Sequence, residues 1–245
     1  MNIAVIPARG GSRRIPGKNI RNFCGTPIIG YSIGAALESG LFEKVLVSTD
    51  DEEIARVARG FGAWVPFLRP ATLADDHTGT NAVVRHAIQW LQAEGERVDH
   101  ACCIYATAPF LREAYLREGL VKLIEQGKSF AFSVTSFPFP IQRALRISAA
   151  GVVSAFSPEF IVARSQDLEE AYHDAGQFYW GTAAAYLAEE ELFCGRSVPV
   201  ILPRHLVQDI DTPEDWIRAE LMYRALQASD TDSTGQQDEL CTVTA

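Results

Sequence analysis

Short apolar runs alternate with longer segments of helical spacing along this chain, and that alternation constrains its fold more than any other feature. NIAVIPA (2–8), KVLVSTD (44–50), HACCIYA (100–106) and SFAFSVTSF (129–137) read as strands buried on both faces. Between them lie PIIGYSIGAALESG (27–40), DEEIARVARGFG (51–62), TNAVVRHAIQWLQAEG (80–95) and REAYLREGLVKLIEQG (112–127), whose apolar residues recur at helical intervals. The second of these helices opens on acids and ends near Gly60 and Gly62, and Thr80 stands where an N-cap belongs in the third. AWVPFL (63–68) reads as a short extended segment. Repetition of this kind builds βαβ units, and hence an α/β fold with a mainly parallel sheet covered on both faces.

Past Phe137 the rhythm changes. Residues 138–176 contain prolines, a strand candidate GVVSAF and the polar stretch RSQDLEEAYHDAGQ, which together read as a small β-rich inserted arm and not as a separate domain. QFYWGTAAAYL (177–187) and SVPVILP (197–203) are strand-like, and PEDWIRAELMYRALQA (213–228) is a closing helix begun by Pro213. The expected organisation is one domain over 1–228, carrying the arm, and a disordered polar tail over 229–245. QDEL lies inside that tail and is no retention signal.

Charge is distributed unevenly. The chain carries a net −9, which argues against a nucleic-acid binder, yet no Asp or Glu precedes Glu38 while Arg9, Arg13, Arg14, Lys18 and Arg21 all do. MNIAV, followed at once by Pro7 and Arg9, is no signal-peptide core, and no apolar run approaches the roughly 20 residues that span a bilayer. The five cysteines show no CxxC spacing; Cys102 and Cys103 fall in one strand, pointing to opposite faces as small core residues. A cytoplasmic protein, with no membrane or nucleic-acid partner, is the expectation.

The cations sit in IPARGGSRRIPGKN (6–19), between the first strand and the first helix. Such a loop lies at the carboxyl edge of the sheet, where ligands bind in open α/β folds. Gly10 and Gly11 let backbone N–H groups approach a phosphate, and Arg9, Arg13, Arg14 and Lys18 add charge, so the loop suits a polyphosphate. It is no Walker loop, because Gly11 and Lys18 are too far apart and Asn19 follows the lysine, and GGSRRIPG lacks the GxGxxG spacing.

This stretch resembles the signature IxARxGSKxxxxKN of the acylneuraminate cytidylyltransferase family, which makes CMP-activated nine-carbon acidic sugars. Ile6, Ala8, Arg9, Gly11, Ser12, Lys18 and Asn19 match it, and Arg13 stands where the family usually has lysine. VSTDDEEIA (47–55), FLRPATLADD (67–76), IYATAPF (104–110) and DIDTPED (209–215) extend the resemblance over all but the tail. Within the family, SQDLEEAYHDAGQFYWG (165–181) is most similar to the branch that acts on pseudaminic acid, although that branch more often has proline where Ala106 stands.

The resemblance implies a Rossmann-like, three-layer nucleotidyltransferase fold and the reaction CTP plus a nonulosonic acid giving a CMP-sugar and pyrophosphate. Pseudaminic acid is the expected sugar. N-acetylneuraminic and legionaminic acids are alternatives, and a non-catalytic nucleotide-binding regulator is an alternative of another class. Arg9, Arg13 and Lys18 would hold the phosphates and stabilise the leaving pyrophosphate. The expected nucleotide site adds Ala8, Gly10, Gly11, Ser12, Asn19, Arg69 and Thr107. Asp209 and Asp211, two apart at a strand end, would put both carboxylates on one face as a clamp for Mg²⁺, with Mn²⁺ as a substitute; a solvated strand end, or Asp211 capping the helix at Thr212, is the competing reading. Asp50 and Asp51 either cap a helix or touch the nucleoside. Asp75, Asp76, His77 and Thr78 read as a loop without chemistry.

For the sugar, the resemblance places an arginine near Arg164 to meet the carboxylate, a surface arginine being the alternative. His173, Asp174 and Gln177 would read the sugar's substituents, and Tyr179 and Trp180 would supply an apolar wall, while His173 could equally be structural. The family commonly dimerises through the arm, where Phe137, Phe139, Phe156 and Phe160 are either an interface or the arm's own core, so a homodimer is expected.

Overall fold

A computed structural model describes residues 1–75 and 78–240, with backbone alone for 230–240. Asp76 and His77 of the expected loop, and the final five residues of the expected tail, lie outside the described residues. Strands β1 (Asn2–Pro7), β4 (Lys44–Ser48), β5 (His100–Ile104), β6 (Phe130–Ser136), β9 (Tyr172–Thr182) and β10 (Ser197–Ile201) form the main sheet, in the order β10-β6-β9-β5-β1-β4. Two small hairpins complete the strands, β2 (Asn22–Phe23) with β3 (Thr26–Pro27), and β7 (Leu145–Ile147) with β8 (Val153–Ala155). Within the main sheet pairing is parallel except along β9, which runs antiparallel to both β5 and β6; the two hairpins are antiparallel. The sheet is therefore mainly parallel, as expected. Residues 63–68 run alongside β4 through bridges at Trp64 and Leu68.

The strand alternation sorts side chains into two cores. Ala4, Ile6, Val45, Val47, Cys102 and Trp180 face helices α1 (Ile28–Glu38), α2 (Glu52–Gly60) and α4 (Glu113–Glu125). Ile3, Val5, Leu46, Cys103 and Tyr179 face α3 (Thr80–Ala93) and α5 (Ala183–Leu187). Cys102 and Cys103 thus point to opposite faces, both buried and free, as period-two geometry requires. A third cluster packs α6 (Pro213–Leu240) through Trp216 and Ala219 onto Ile15, Phe23, Ile28 and Ile210.

Four expectations need correction. Residues 177–187 are not one strand: β9 ends at Thr182, whose hydroxyl accepts the Ala185 N–H at 3.1 Å and starts α5. Thr80 is the first helical residue and not the cap; Gly79 takes that place with no side-chain hydrogen bond. The arm gives way to the sheet at Tyr172, where β9 begins pairing with Ser136 of β6. Finally, α6 continues to Leu240, beyond the Ala228 where apolar spacing stops and the tail was expected. An established helix adds residues without a new nucleus, so polar sequence can extend it without a buried face.

Candidate active site

The cationic loop runs from the end of β1 to a short helical turn at Lys18–Ile20 and is tied at each stage. Ala8 N–H donates to the Ser48 carbonyl of β4 at 3.0 Å, and Gly10 N–H to the Asp50 carboxylate at 3.0 Å. A Cβ on Gly10 would stand 2.7 Å from Asp51 Oδ2, so this position requires glycine for a close approach. Gly11 has open space around it. The middle of the loop is anchored by Ile15, which is buried beside Phe23 and Ile210. Gly17 adopts a left-handed conformation, φ 62°, and turns the chain so that Asn19 reaches back to donate to the Arg9 carbonyl at 2.9 Å.

That anchoring brings the loop against the segment before α6. Lys18 Nζ donates to the Ile210 carbonyl at 2.7 Å and lies 3.4 Å from Asp211 Oδ1, while Arg14 reaches Asp211 Oδ2 at 3.1 Å. Asp211 does not cap α6. Thr212 does, accepting the Asp215 N–H at 3.2 Å while Asp215 accepts the Thr212 N–H at 2.8 Å, a reciprocal capping box. Asp51 likewise resolves as the cap of α2, accepting from Glu53 and Ile54 N–H groups.

A cleft of about 430 Å³ opens between these elements. Arg9, Ser12, Arg13, Lys18, Asn19, Arg69, Thr107 and Asp211 line it, so the structure gathers most of the expected nucleotide site in one place. Arg14, Thr80, Val83 and Tyr105 also line it, and the sequence assigned none of these a role beyond mobile charge, a cap or membership of a family-like stretch. Thr80 and Val83 share a face at the start of α3 by their spacing, a signal the sequence already held. Arg69 is 6% exposed; its guanidinium donates to the Ser48 and Leu73 carbonyls, and its Nε has no partner. Burial lowers its pKa, and the Asp50 charge works in the opposite direction.

Ala8, Gly10, Gly11 and Asp209 do not line the cleft. Asp209 sits against Gly176, and burial, then the nearby Asp211 charge, pushes its carboxyl above the usual range. Asp209 and Asp211 lie in the irregular segment between Leu206 and α6, not at a strand end as expected, and as hard oxygen donors beside a cationic cleft of phosphate size they suit a divalent cation. Among the described residues no larger His, Cys, Asp or Glu group is gathered for a metal.

The expected sugar residues do not meet in the cleft. Arg164 is exposed in the arm. His173 packs its ring on Phe137 at 4.8 Å and bonds the Asp174 carbonyl at 2.8 Å. Gln177 and Tyr179 are 3% and 4% exposed: Gln177 donates Nε2 to the Leu206 carbonyl while its Oε1 has no partner, the Tyr179 hydroxyl bonds Asp174, and Trp180 is wholly buried, donating to the Leu116 carbonyl.

A parallel α/β sheet with a cationic loop at its carboxyl edge, facing a carboxylate, defines a nucleotidyltransferase cleft. The sequence model of the cytidylyltransferase family matches residues 3–227, and the chain belongs to that family. It is 48% identical over 223 residues to the pseudaminic acid cytidylyltransferase of Campylobacter jejuni, covering 91% of this chain and 96% of that one. It is 33% identical over 232 residues to the CMP-N,N'-diacetyllegionaminic acid synthase of Legionella pneumophila, covering 92% and 97%. The fold is shared with a CMP:2-keto-3-deoxy-manno-octonic acid synthetase solved with CTP, at TM-score 0.65 and 18% identity over 94% of this chain and 99% of that one. Among the described residues no helix is long and apolar enough to cross a membrane.

Proposed function

We propose that the chain joins the CMP moiety of CTP to pseudaminic acid, releasing pyrophosphate. The observation that carries this reading is the 48% identity to the Campylobacter jejuni enzyme over nearly the whole chain. The anomeric hydroxyl attacks the α-phosphorus in line, gives up its proton, and the bond to the pyrophosphate oxygen breaks with its electron pair. Little covalent work falls to the protein, which aligns the reactants and neutralises developing charge.

Lys18 and Arg14 exchange the Ile210 carbonyl and Asp211 for phosphate oxygens when CTP enters, and Arg9 and Arg13 hold the same triphosphate from the loop. Their release frees Asp211, which with Asp209 would hold Mg²⁺, or Mn²⁺ in its place. That ion, when bound, would neutralise phosphate charge in the transition state. Asn19 and Thr107 position the nucleoside, and Arg69, a residue of the cleft wall, adds its cation beside it. We assign the sugar's carboxylate to Arg164 and one of its polar substituents to His173, both outside the nucleotide cleft. A second copy of the chain covering the arm's exposed apolar residues would make the working unit a homodimer, in the cytoplasm.

The likeness to the Legionella synthase favours legionaminic acid as a second reading. Pyrophosphate release, measured with CTP, Mg²⁺ and each of pseudaminic, legionaminic and N-acetylneuraminic acids, separates the readings. Turnover with pseudaminic acid far above the others is expected. Turnover restricted to another sugar moves the specificity, and silence with all three while CTP binds restores the regulatory reading.

A further inference from the structure

β9 departs from regular pairing beside the cleft. Phe132 opposes Tyr179 and Val134 opposes Asp174, so the intervening residues of β9 bulge out across from Ser133. The Ser133 hydroxyl receives the N–H groups of Gln177 and Phe178 at 3.3 and 3.2 Å. Side chains then close the bulge: the Tyr179 hydroxyl lies 2.8 and 2.7 Å from the two Asp174 oxygens, and Gly176 N–H donates to Asp174 Oδ1 at 2.9 Å.

The bulge touches the segment carrying both candidate metal ligands at two points. Gly176, at φ 62°, lies so close that a Cβ there would stand 3.7 Å from the Asp209 carboxyl carbon. Gln177 Nε2 donates to the Leu206 carbonyl at 2.5 Å, just upstream. The Tyr179 ring packs 5.2 Å from that of Tyr105, which lines the cleft, and 6.1 Å from that of Phe132, and is 4% exposed. Burial raises the Tyr179 pKa far above its ordinary value, with Tyr105 and Asp174 adding to the effect, so the hydroxyl remains a donor.

We propose that the Tyr179–Asp174 hydrogen bond is a positioning device: it closes the β9 bulge against Leu206 and Asp209 and so sets the Asp209–Asp211 segment for its cation. Tyr179 and Asp174 are positioning residues, not parts of the sugar surface. This inference rests on Asp209 and Asp211 holding the metal. Groups that orient a ligating carboxylate from behind typically alter metal affinity or activity by 10–100-fold.

The test titrates CTP into the full-length enzyme without sugar, once with Mn²⁺ and once with EDTA, and reads the ratio of the two affinities. Tyr179→Phe keeps the ring and removes the pin. The ratio is expected to fall about ten-fold or more, with CTP affinity in EDTA, and KM for the sugar in turnover, unchanged. Asp174→Ala should reproduce the loss, and it carries the test alone should Tyr179→Phe not fold, because its side chain is exposed. Asp174→Asn, which keeps an acceptor for the hydroxyl, should recover much of the ratio. An unchanged ratio with a raised KM for the sugar would return Tyr179 to the sugar surface and overturn the proposal. If Asp211→Asn itself leaves the wild-type ratio intact, the metal assignment fails and takes this inference with it, an outcome distinct from failure of Tyr179→Phe alone.

Discussion

The cleft and the arm present opposite kinds of surface. In the cleft, charged groups are drawn inward and tied: Arg69 is nearly buried, Lys18 holds a carbonyl, and Asp211 faces two cations. In the arm, apolar groups are turned outward: Phe139, Ile147 and Val162 are 66%, 73% and 92% exposed. A buried cation without a full set of partners awaits an anion, and a broad exposed apolar surface awaits another apolar surface. One chain thus carries a cationic small-molecule cleft at the edge of its sheet and an exposed apolar surface on an insertion.

Substitutions in the two regions should differ by orders of magnitude. Lys18→Ala removes a cation of the cleft that we assign to the triphosphate, and kcat/KM for CTP in a pyrophosphate-release assay should fall roughly 10²–10³-fold. Gly10→Ala places a Cβ against Asp51 and displaces the loop, which should cost on the order of 10²-fold in the same assay, whereas Gly11→Ala, into open space, should leave it unchanged. Beneath the cleft, Gly181→Ala sets a Cβ 2.6 Å from the Tyr186 ring, and denaturant unfolding should show about 1–3 kcal/mol of lost stability. Asp51→Ala deletes the cap of α2 at about 1 kcal/mol by the same measurement. In the arm, Val162→Ser should change unfolding stability by less than about 0.5 kcal/mol. If sedimentation shows that it shifts a dimer towards monomer, the contrast sharpens; a large unfolding effect would break it.

The parts of the molecule legible in the sequence are those fixed by local pattern. β1, β4, β5 and β6 were readable because a doubly buried strand needs an unbroken apolar run, and the loop because cations and glycines for a phosphate must be close along the chain. β9 was legible as a strand only over residues 177–182, and not in its start, its direction or its bulge, since apolar content does not record which neighbours a strand joins. For the same reason Gln177 and Tyr179 read as sugar contacts: their polar ends say that partners are needed, and the fold supplies Leu206 to Gln177 Nε2 and Asp174 to the Tyr179 hydroxyl. Arg14 offered charge like its neighbours, and Ile15, an apolar residue in a polar loop, was the clue to the anchor that carries Arg14 to Asp211. The alternative of Asp211 as a helix cap fell because Thr212 and Asp215 satisfy each other.

The central place of β9 has a consequence for how the chain assembles as it is made. β4, β1 and β5 can pair as soon as they emerge, and β6 follows soon after, yet nothing joins them until residues 172–182 arrive. Throughout synthesis of the arm, β5 holds one unpaired edge facing the missing β9, and β6 holds two, because β10 is made later still. The nascent protein must therefore keep these open edges apart from each other and from neighbouring chains, and the late arrival of β9 is the event that joins β6 to the rest of the sheet before β10 completes it.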